Sequence, residues 1–321
     1  MWISWLGLMA GFAILVVAAD RFVEGTAAIA RNLGISPLII GLTIVGFGTS
    51  APEILVSGMA AWQGNPGIAV GNAIGSNIAN IGLILGLTAL LCPISFHSRI
   101  VRKEMPILLG TSIGCYLLAL ADGLSRTDGI VMLSGLAIFL LWLVRDAIRA
   151  RQNNVRETAT EEGITASIST TKACWWTAVG FIGLLVSSQL VVWAAADLAR
   201  AFGISDLVIG LTIIALGTSL PELAASITSI LKNEDDIAIG NVLGSNMYNL
   251  LAVLALPSLI SPGPLEPVVL SRDFPAMIGF TVALFAFGFS FRAHGRINRV
   301  EGLILILGYF GYQFLVIRGT L

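Results

Sequence analysis

No Asp, Glu, Lys or Arg occurs between Glu53 and Arg99, from Met1 through Ala19, or from Phe274 through Phe291. Runs of that length cannot be turned to water. A soluble domain carries about a quarter of its residues as charges; this chain is 12% charged and 56% hydrophobic. Its solvent must be lipid. A helix of roughly 20 apolar residues crosses the hydrocarbon layer. Ten such spans can be read, at about 2–30, 37–61, 66–91, 105–121, 128–144, 173–201, 206–231, 236–260, 273–291 and 299–318. The first and sixth are too long for an upright crossing and carry Asp20, Arg21, Glu24 and Asp197, so they are expected to tilt or to project past the bilayer.

The hydrophilic stretch 145–172 is central, charged and rich in Ser and Thr, which reads as a linker between residues 1–144 and 173–321. With ten spans both termini lie on one side. That side receives Arg126, Arg200, Arg272 and Arg318, whereas the other 14 of the 18 Lys and Arg residues fall on the linker side. The positive-inside rule then puts the linker in the cytoplasm and both termini outside; a prokaryotic plasma (inner) membrane is the expected location. The first basic residue is Arg21, so no charged region marks the first apolar run as a signal peptide. Cys92, Cys115 and Cys174 fit no zinc or redox spacing and read as small membrane-packed residues.

The chain also repeats itself at an offset of 169. "GISPLIIGLTIVGFGTSAPE" (34–53) matches "GISDLVIGLTIIALGTSLPE" (203–222) at 14 of 20 positions, and "IAVGNAIGSNIAN" (68–80) aligns without a gap to "IAIGNVLGSNMYN" (237–249). Pro93 meets Pro262, Pro106 meets Pro275 and Arg31 meets Arg200. This is a duplication. Each half holds five spans, and an odd number makes the second half enter the bilayer from the opposite face. The expected fold is an all-α membrane protein of ten transmembrane helices in two five-helix inverted-topology repeats. Several secondary transporters share that plan, with the substrate site near the midplane.

Within each repeat a proline and a glutamate interrupt the apolar run. Pro52 cannot donate to Gly48, nor Pro221 to Gly217, so each helix should kink and free carbonyls near Gly46–Gly48 and Ala215–Gly217. Freed backbone is tolerated at this depth only when buried in protein or lining a cavity. A kink alone would not need the flanking Thr49, Ser50 and Glu53, or Thr218, Ser219 and Glu222. Ser57 and Ser226 continue those faces at i+4, while Asn72, Ser76 and Asn80, and again Asn241, Ser245 and Asn249, form polar stripes on the next spans. Such Asn and Ser residues can simply hydrogen-bond between helices.

The two carboxylates go beyond that bland role. A charge at mid-membrane costs about 2.5–3.5 kcal/mol on insertion scales. No Lys or Arg occurs from Asn32 to Ser98 or from Ala201 to Leu231, so each acid should be protonated or neutralised by a cation from solution. Two carboxylates with hydroxyl, amide and carbonyl oxygens suit a hard cation. Calcium takes about 6–8 oxygens, sodium could use subsets of them, and the lack of His or Cys disfavours zinc and copper.

On these motifs, "GTSAPE…GNAIGSN" and "GTSLPE…GNVLGSN", the chain resembles the calcium/cation antiporter superfamily, the sodium/calcium exchangers, and within it the bacterial YrbG-type calcium/sodium antiporters. The resemblance covers the whole chain. It implies that Glu53 and Glu222 are central calcium ligands shared or alternated with sodium, that Thr49, Ser50, Thr218, Ser219, Ser76 and Ser245 supply oxygens, and that the carbonyls of Gly46 and Ala215 extend the sodium sites. Asn80 and Asn249 complete the implied set. Some relatives carry an aspartate where this chain has Asn249, which leaves two acids here and argues against potassium dependence. The long first and sixth spans would slide against the other eight. The expected partners are the lipid bilayer and the transported calcium and sodium; no cofactor, nucleic acid or enzymatic role is expected. The linker has no room for the large regulatory calcium-binding domain of some animal relatives.

Alternatives from other classes stay open at this point. The same glutamates could exchange calcium for protons, with His97 and His294 outside the motifs. A passive cation channel would need a continuous pore. An intramembrane enzyme finds no HExxH, paired membrane aspartates or Ser-His arrangement here. Glu234, Asp235 and Asp236 have no counterpart in the first repeat and read as a solvated helix end or a cation-attracting mouth.

Overall fold

The computed structural model describes residues 1–97, 100, 102–157, 168–203, 215–289 and 294–320. The middle of the expected linker and the start of the seventh expected span, 204–214, lie outside the described residues. The helices are α1 (Trp2–Leu33), α2 (Pro37–Thr49), α3 (Ala51–Trp62), α4 (Pro66–Leu91), α5 (Glu104–Asp122), α6 (Arg126–Glu157), α7 (Thr170–Ala201), α8 (Ala215–Thr218), α9 (Leu220–Leu231), α10 (Asp235–Ile260), α11 (Val269–Gly288) and α12 (Arg299–Thr320). Eight of them, α1, α4, α5, α6, α7, α10, α11 and α12, are long and apolar enough to cross a membrane, and α2 and α3 form one further span broken at Ser50. Their outer faces carry large apolar side chains, such as Trp2, Met9 and Val16 on α1 and Leu307, Phe310 and Phe314 on α12. This is an integral membrane protein.

Two details add to the expected all-helical architecture. Between the helices, Ile94–His97 (β1) pairs antiparallel with His294–Ile297 (β2), Ile94 opposite Ile297 and His97 opposite His294. These short connections hold β-branched and aromatic residues that favour extended pairing. The helix of the fifth span also continues beyond 144. α6 runs on to Glu157 because residues 145–157 are mostly Arg, Ala, Gln and Glu, good helix formers even when polar.

The described residues group into two compact units, Met1–Thr49 with Phe139–Asn241, and Ser50–Ile138 with Val242–Leu321. Each takes segments from both sequence halves.

In the first unit α1 and α7 lie antiparallel in close contact. Each has 32 residues, about 48 Å of helix, well beyond the ~30 Å of hydrocarbon. Small residues permit the approach. A Cβ on Gly11 would lie 3.2 Å from the Val191 nitrogen, and one on Gly180 would lie 2.5 Å from the Phe22 nitrogen. These two contacts are equivalent under the 169 offset, 11 to 180 and 22 to 191. Around them Leu15, Ala18, Ala19, Phe22 and Leu184 form a core with Ala225 of α9 and Ile237 of α10. α1 stops at Gly34, whose φ of 63° suits a residue without Cβ and lets its N–H reach back to the helix. Beyond that end Arg31 pairs with Glu234 at 2.6 Å and Asp20 with Lys232 at 2.8 Å. At the other end the Ser4 hydroxyl donates to Asp197 of α7.

In the second unit α3 packs on α4, and α12 meets the far end of α4 where Gly86 and Gly302 touch backbone to backbone. α5 packs on α11 through Tyr116, which stacks on Phe274 at 5.3 Å and donates to the Leu270 carbonyl at 3.1 Å. Leu124 and Gly263 exchange both backbone hydrogen bonds at 3.0 Å. Cys115 is buried, while Cys92 and Cys174 are exposed; all three are free thiols.

Candidate ion-binding motifs

The prolines break the helices where expected. Ser50 and Ser219 interrupt the helical run, and Pro52 and Pro221 sit in the first turns of α3 and α9, where a missing N–H costs least. Glu53 and Glu222 follow directly and are each 1% exposed. One of the carbonyls that the prolines were expected to free is occupied: the Ser188 hydroxyl of α7 donates to Gly217 O at 2.9 Å. The position equivalent to Ser188 is Ala19, which has no hydroxyl to offer Gly48.

Each glutamate's backbone is then gripped by an asparagine from the following helix, in the same way in both repeats. Asn72 Nδ2 donates to Glu53 O at 3.2 Å and to Ser57 Oγ at 2.9 Å. Asn241 Nδ2 donates to Glu222 O at 3.1 Å and to Ser226 Oγ at 2.9 Å. Every atom of the second set is the first set displaced by 169. Asn241 makes one bond more, accepting at Oδ1 from Thr49 Oγ1 at 2.9 Å, so a residue of the first repeat is tied to the second. These bonds leave the glutamate carboxylates out of the amide's grip and fix the helix turn that carries them.

The expected site residues distribute evenly. Gly46, Thr49, Ala215, Thr218, Ser219 and Glu222 belong to the first unit; Ser50, Glu53, Ser76, Asn80, Ser245 and Asn249 belong to the second. Gly46 and all ten of the Ser, Thr, Asn and Glu residues among them are buried. Among the described residues no three His, Cys, Asp or Glu side chains cluster as a metal centre. The donors available are hydroxyls, amides, carbonyls and single carboxylates, which suits a hard cation.

Three features of the motifs were not legible beforehand. Asn80 and Asn249, equivalent positions, each open a π-helical turn, Asn80–Leu85 and Asn249–Val253. Such turns are rare and concentrate at functional sites. Asn77 and Asn246, off the four-residue stripe, are buried as well, and Asn80 Nδ2 donates to Asn246 Oδ1 at 3.0 Å. The adjacency of Ser and Asn in "GSN" was the available signal. Glu234, at the helix end where α10 begins, pairs with Arg31 at 2.6 Å.

A sequence profile described as "Sodium/calcium exchanger protein" matches residues 3–145 and 172–318. The chain is 46% identical over 316 residues to CaxA of Alkalimonas amylolytica, covering 98% of this chain and 99% of that one. It is 40% identical over 304 residues to the inner membrane protein YrbG of Escherichia coli K12, covering 94% and 93%. A solved structure of the sodium-calcium exchanger NCX_Mj, soaked with sodium and calcium, superposes with a TM-score of 0.83 at 33% identity over 96% of both chains. On a match that spans both halves of the duplication, the chain belongs to the sodium/calcium exchanger protein family.

Proposed function

We propose that the protein is a secondary antiporter that moves calcium against sodium by alternating access. Glu53 and Glu222 supply the two negative charges that balance calcium. Thr49, Ser50, Ser76, Thr218, Ser219 and Ser245 contribute hydroxyls, Asn80 and Asn249 amide oxygens, and Gly46 and Ala215 carbonyls. The observation that carries this reading is the duplicated clamp: Asn72 on Glu53 O and Ser57, Asn241 on Glu222 O and Ser226, each holding an acid-bearing turn behind a proline. A burial of acids for structure alone gives no reason for the same four-residue arrangement of Pro, Glu, Ser and Asn to occur twice. The similarity to a sodium-calcium exchanger solved after soaking with sodium and calcium supports the choice of ions.

The reading includes ten spans in two inverted five-helix repeats, with both termini outside and the 145–172 linker cytoplasmic. The antiparallel contact of α1 with its own repeat-mate α7, made through equivalent residues, supports the inversion. The excess of Lys and Arg on the linker side supports the orientation.

The test is counter-ion-dependent calcium flux by purified protein in liposomes. An outward sodium gradient should drive calcium uptake, and Glu53→Gln and Glu222→Gln should each abolish it in protein that still folds. Flux driven by a pH gradient without sodium would replace sodium by protons as the coupling ion. Normal flux in either variant would remove that glutamate from the mechanism.

A further inference from the structure

We infer that Asn246 is a positioning residue for cation binding: it orients the Asn80 amide so that its oxygen is presented as a ligand, while the equivalent Asn249 amide is left free to turn. The inference rests on the antiport reading above. Asn80 is 1% exposed and Asn246 is fully buried. Asn80 Nδ2 donates to Asn246 Oδ1 at 3.0 Å, and among the described residues Asn80 Oδ1, though buried, has no hydrogen-bond partner. An amide is planar, so fixing its nitrogen fixes its oxygen. Turning Asn80 alone by half a rotation would set two acceptor oxygens face to face. Turning both amides together would keep one hydrogen bond but present an NH2 group, which a cation rejects. Cation binding therefore favours the orientation in place.

The repeat supplies an internal comparison. The 169 offset carries Asn80 to Asn249 and Asn77 to Asn246. In place of the equivalent bond, Asn77 Nδ2 points to the Met277 sulfur at 3.5 Å, a weak acceptor. Both amide atoms of Asn249 are buried without a hydrogen-bond partner among the described residues. The two amides, each at the start of a π-helical turn, are thus unequal. Asn80 is a set acceptor. Asn249 can offer oxygen to a cation or NH2 to an acceptor, as occupancy requires. All four residues belong to the second unit.

The experiment is radioactive calcium exchange by the full-length protein in liposomes, driven by whichever of sodium or protons drives the wild type. Asn246→Leu removes the acceptor at similar volume. It should raise the KM for calcium or for the counter-ion about three- to tenfold, the range of one ordinary hydrogen bond, with the maximal rate within about twofold. Asn77→Leu should leave both KM values within about twofold of wild type, because Asn77 does not hold Asn249. Asn80→Ala and the double variant Asn80→Ala/Asn246→Leu should behave alike, since Asn246 acts through Asn80. If Asn246→Leu is not recovered folded, Asn246→Ala removes the same acceptor with less bulk. An unchanged KM in the Asn246 variant, an equal effect of Asn77→Leu, or additivity with Asn80→Ala overturns the inference while the antiport reading stands. Absence of calcium flux in the wild type with either counter-ion overturns both.

Discussion

The two asparagine clamps differ in hydrogen bonding and in burial, and replacing each with leucine measures the difference. Asn241 is completely buried and uses all three of its bonds in the protein: two donated, to Glu222 O and Ser226, and one accepted, from Thr49. Asn72 is only partly buried and donates two, to Glu53 O and Ser57. A hydrogen bond contributes about 1 kcal/mol net, and a buried group that loses its partner costs about 1–3 kcal/mol. Asn241→Leu should therefore destabilise by about 3 kcal/mol or more. Asn72→Leu should cost about 1–2 kcal/mol, because solvent can reach part of what it leaves behind. The assay is thermal unfolding of detergent-solubilised protein followed by tryptophan fluorescence, with size-exclusion recovery after heating as a second readout. Asn241→Leu should lower the midpoint by on the order of 5 °C more than a surface control, with Asn72→Leu falling between them. A midpoint for Asn72→Leu equal to or below that of Asn241→Leu would refute the reasoning, since the difference rests on the extra bond to Thr49 and on burial.

Gly180→Ala places a Cβ 2.5 Å from the Phe22 nitrogen, so α1 and α7 must part by roughly 1 Å; the expected loss is about 1–3 kcal/mol, read by the same melt. Gly114→Ala, on α5 with nothing within 4 Å of the added carbon, should be neutral or slightly stabilising because alanine favours helix by about 1 kcal/mol. Ser188→Ala removes the donor to Gly217 O and should cost about 1 kcal/mol. Arg31→Gln breaks the ion pair with Glu234, but with 42% of the Arg31 side chain exposed the loss should stay below about 1 kcal/mol and shrink further in high salt.

The large features were legible in the sequence because each rests on a term that lipid makes expensive. Apolar runs mark the broken α2–α3 pair and the eight long helices within a few residues, the end of α6 excepted, since an exposed charge in hydrocarbon is excluded almost everywhere. Glu53 and Glu222 stood out for the same reason, and the 169 offset showed them to be one feature used twice. What escaped reading depends on geometry rather than on composition. A π-helical turn at Asn80 or Asn249 adds one residue to a turn without any residue type that announces it. The Asn80–Asn246 bond joins residues 166 apart, and only packing decides that its repeat-mate is not made. Ser188 lay in an apolar helix as one small polar residue among several, and only the fold showed that Gly217 O was its acceptor. Helix α6 overran its expected end because hydropathy locates where a helix leaves the membrane, and the helix itself stops for other reasons.

The close backbone contact between α1 and α7 also sets a schedule for synthesis. α1 is complete at Leu33, and its partner begins only at Thr170. At roughly 5–20 residues per second of translation, α1 waits on the order of ten seconds in the bilayer with the faces of Gly11 and Gly25 against lipid. Its apolar length allows that wait, because every backbone group of a helix is satisfied within it. The first unit can close only when Asn241 has emerged and can accept from Thr49. A ribosome that stalls in the stretch between α6 and α7 would strand the first helix without the surface it was built to meet.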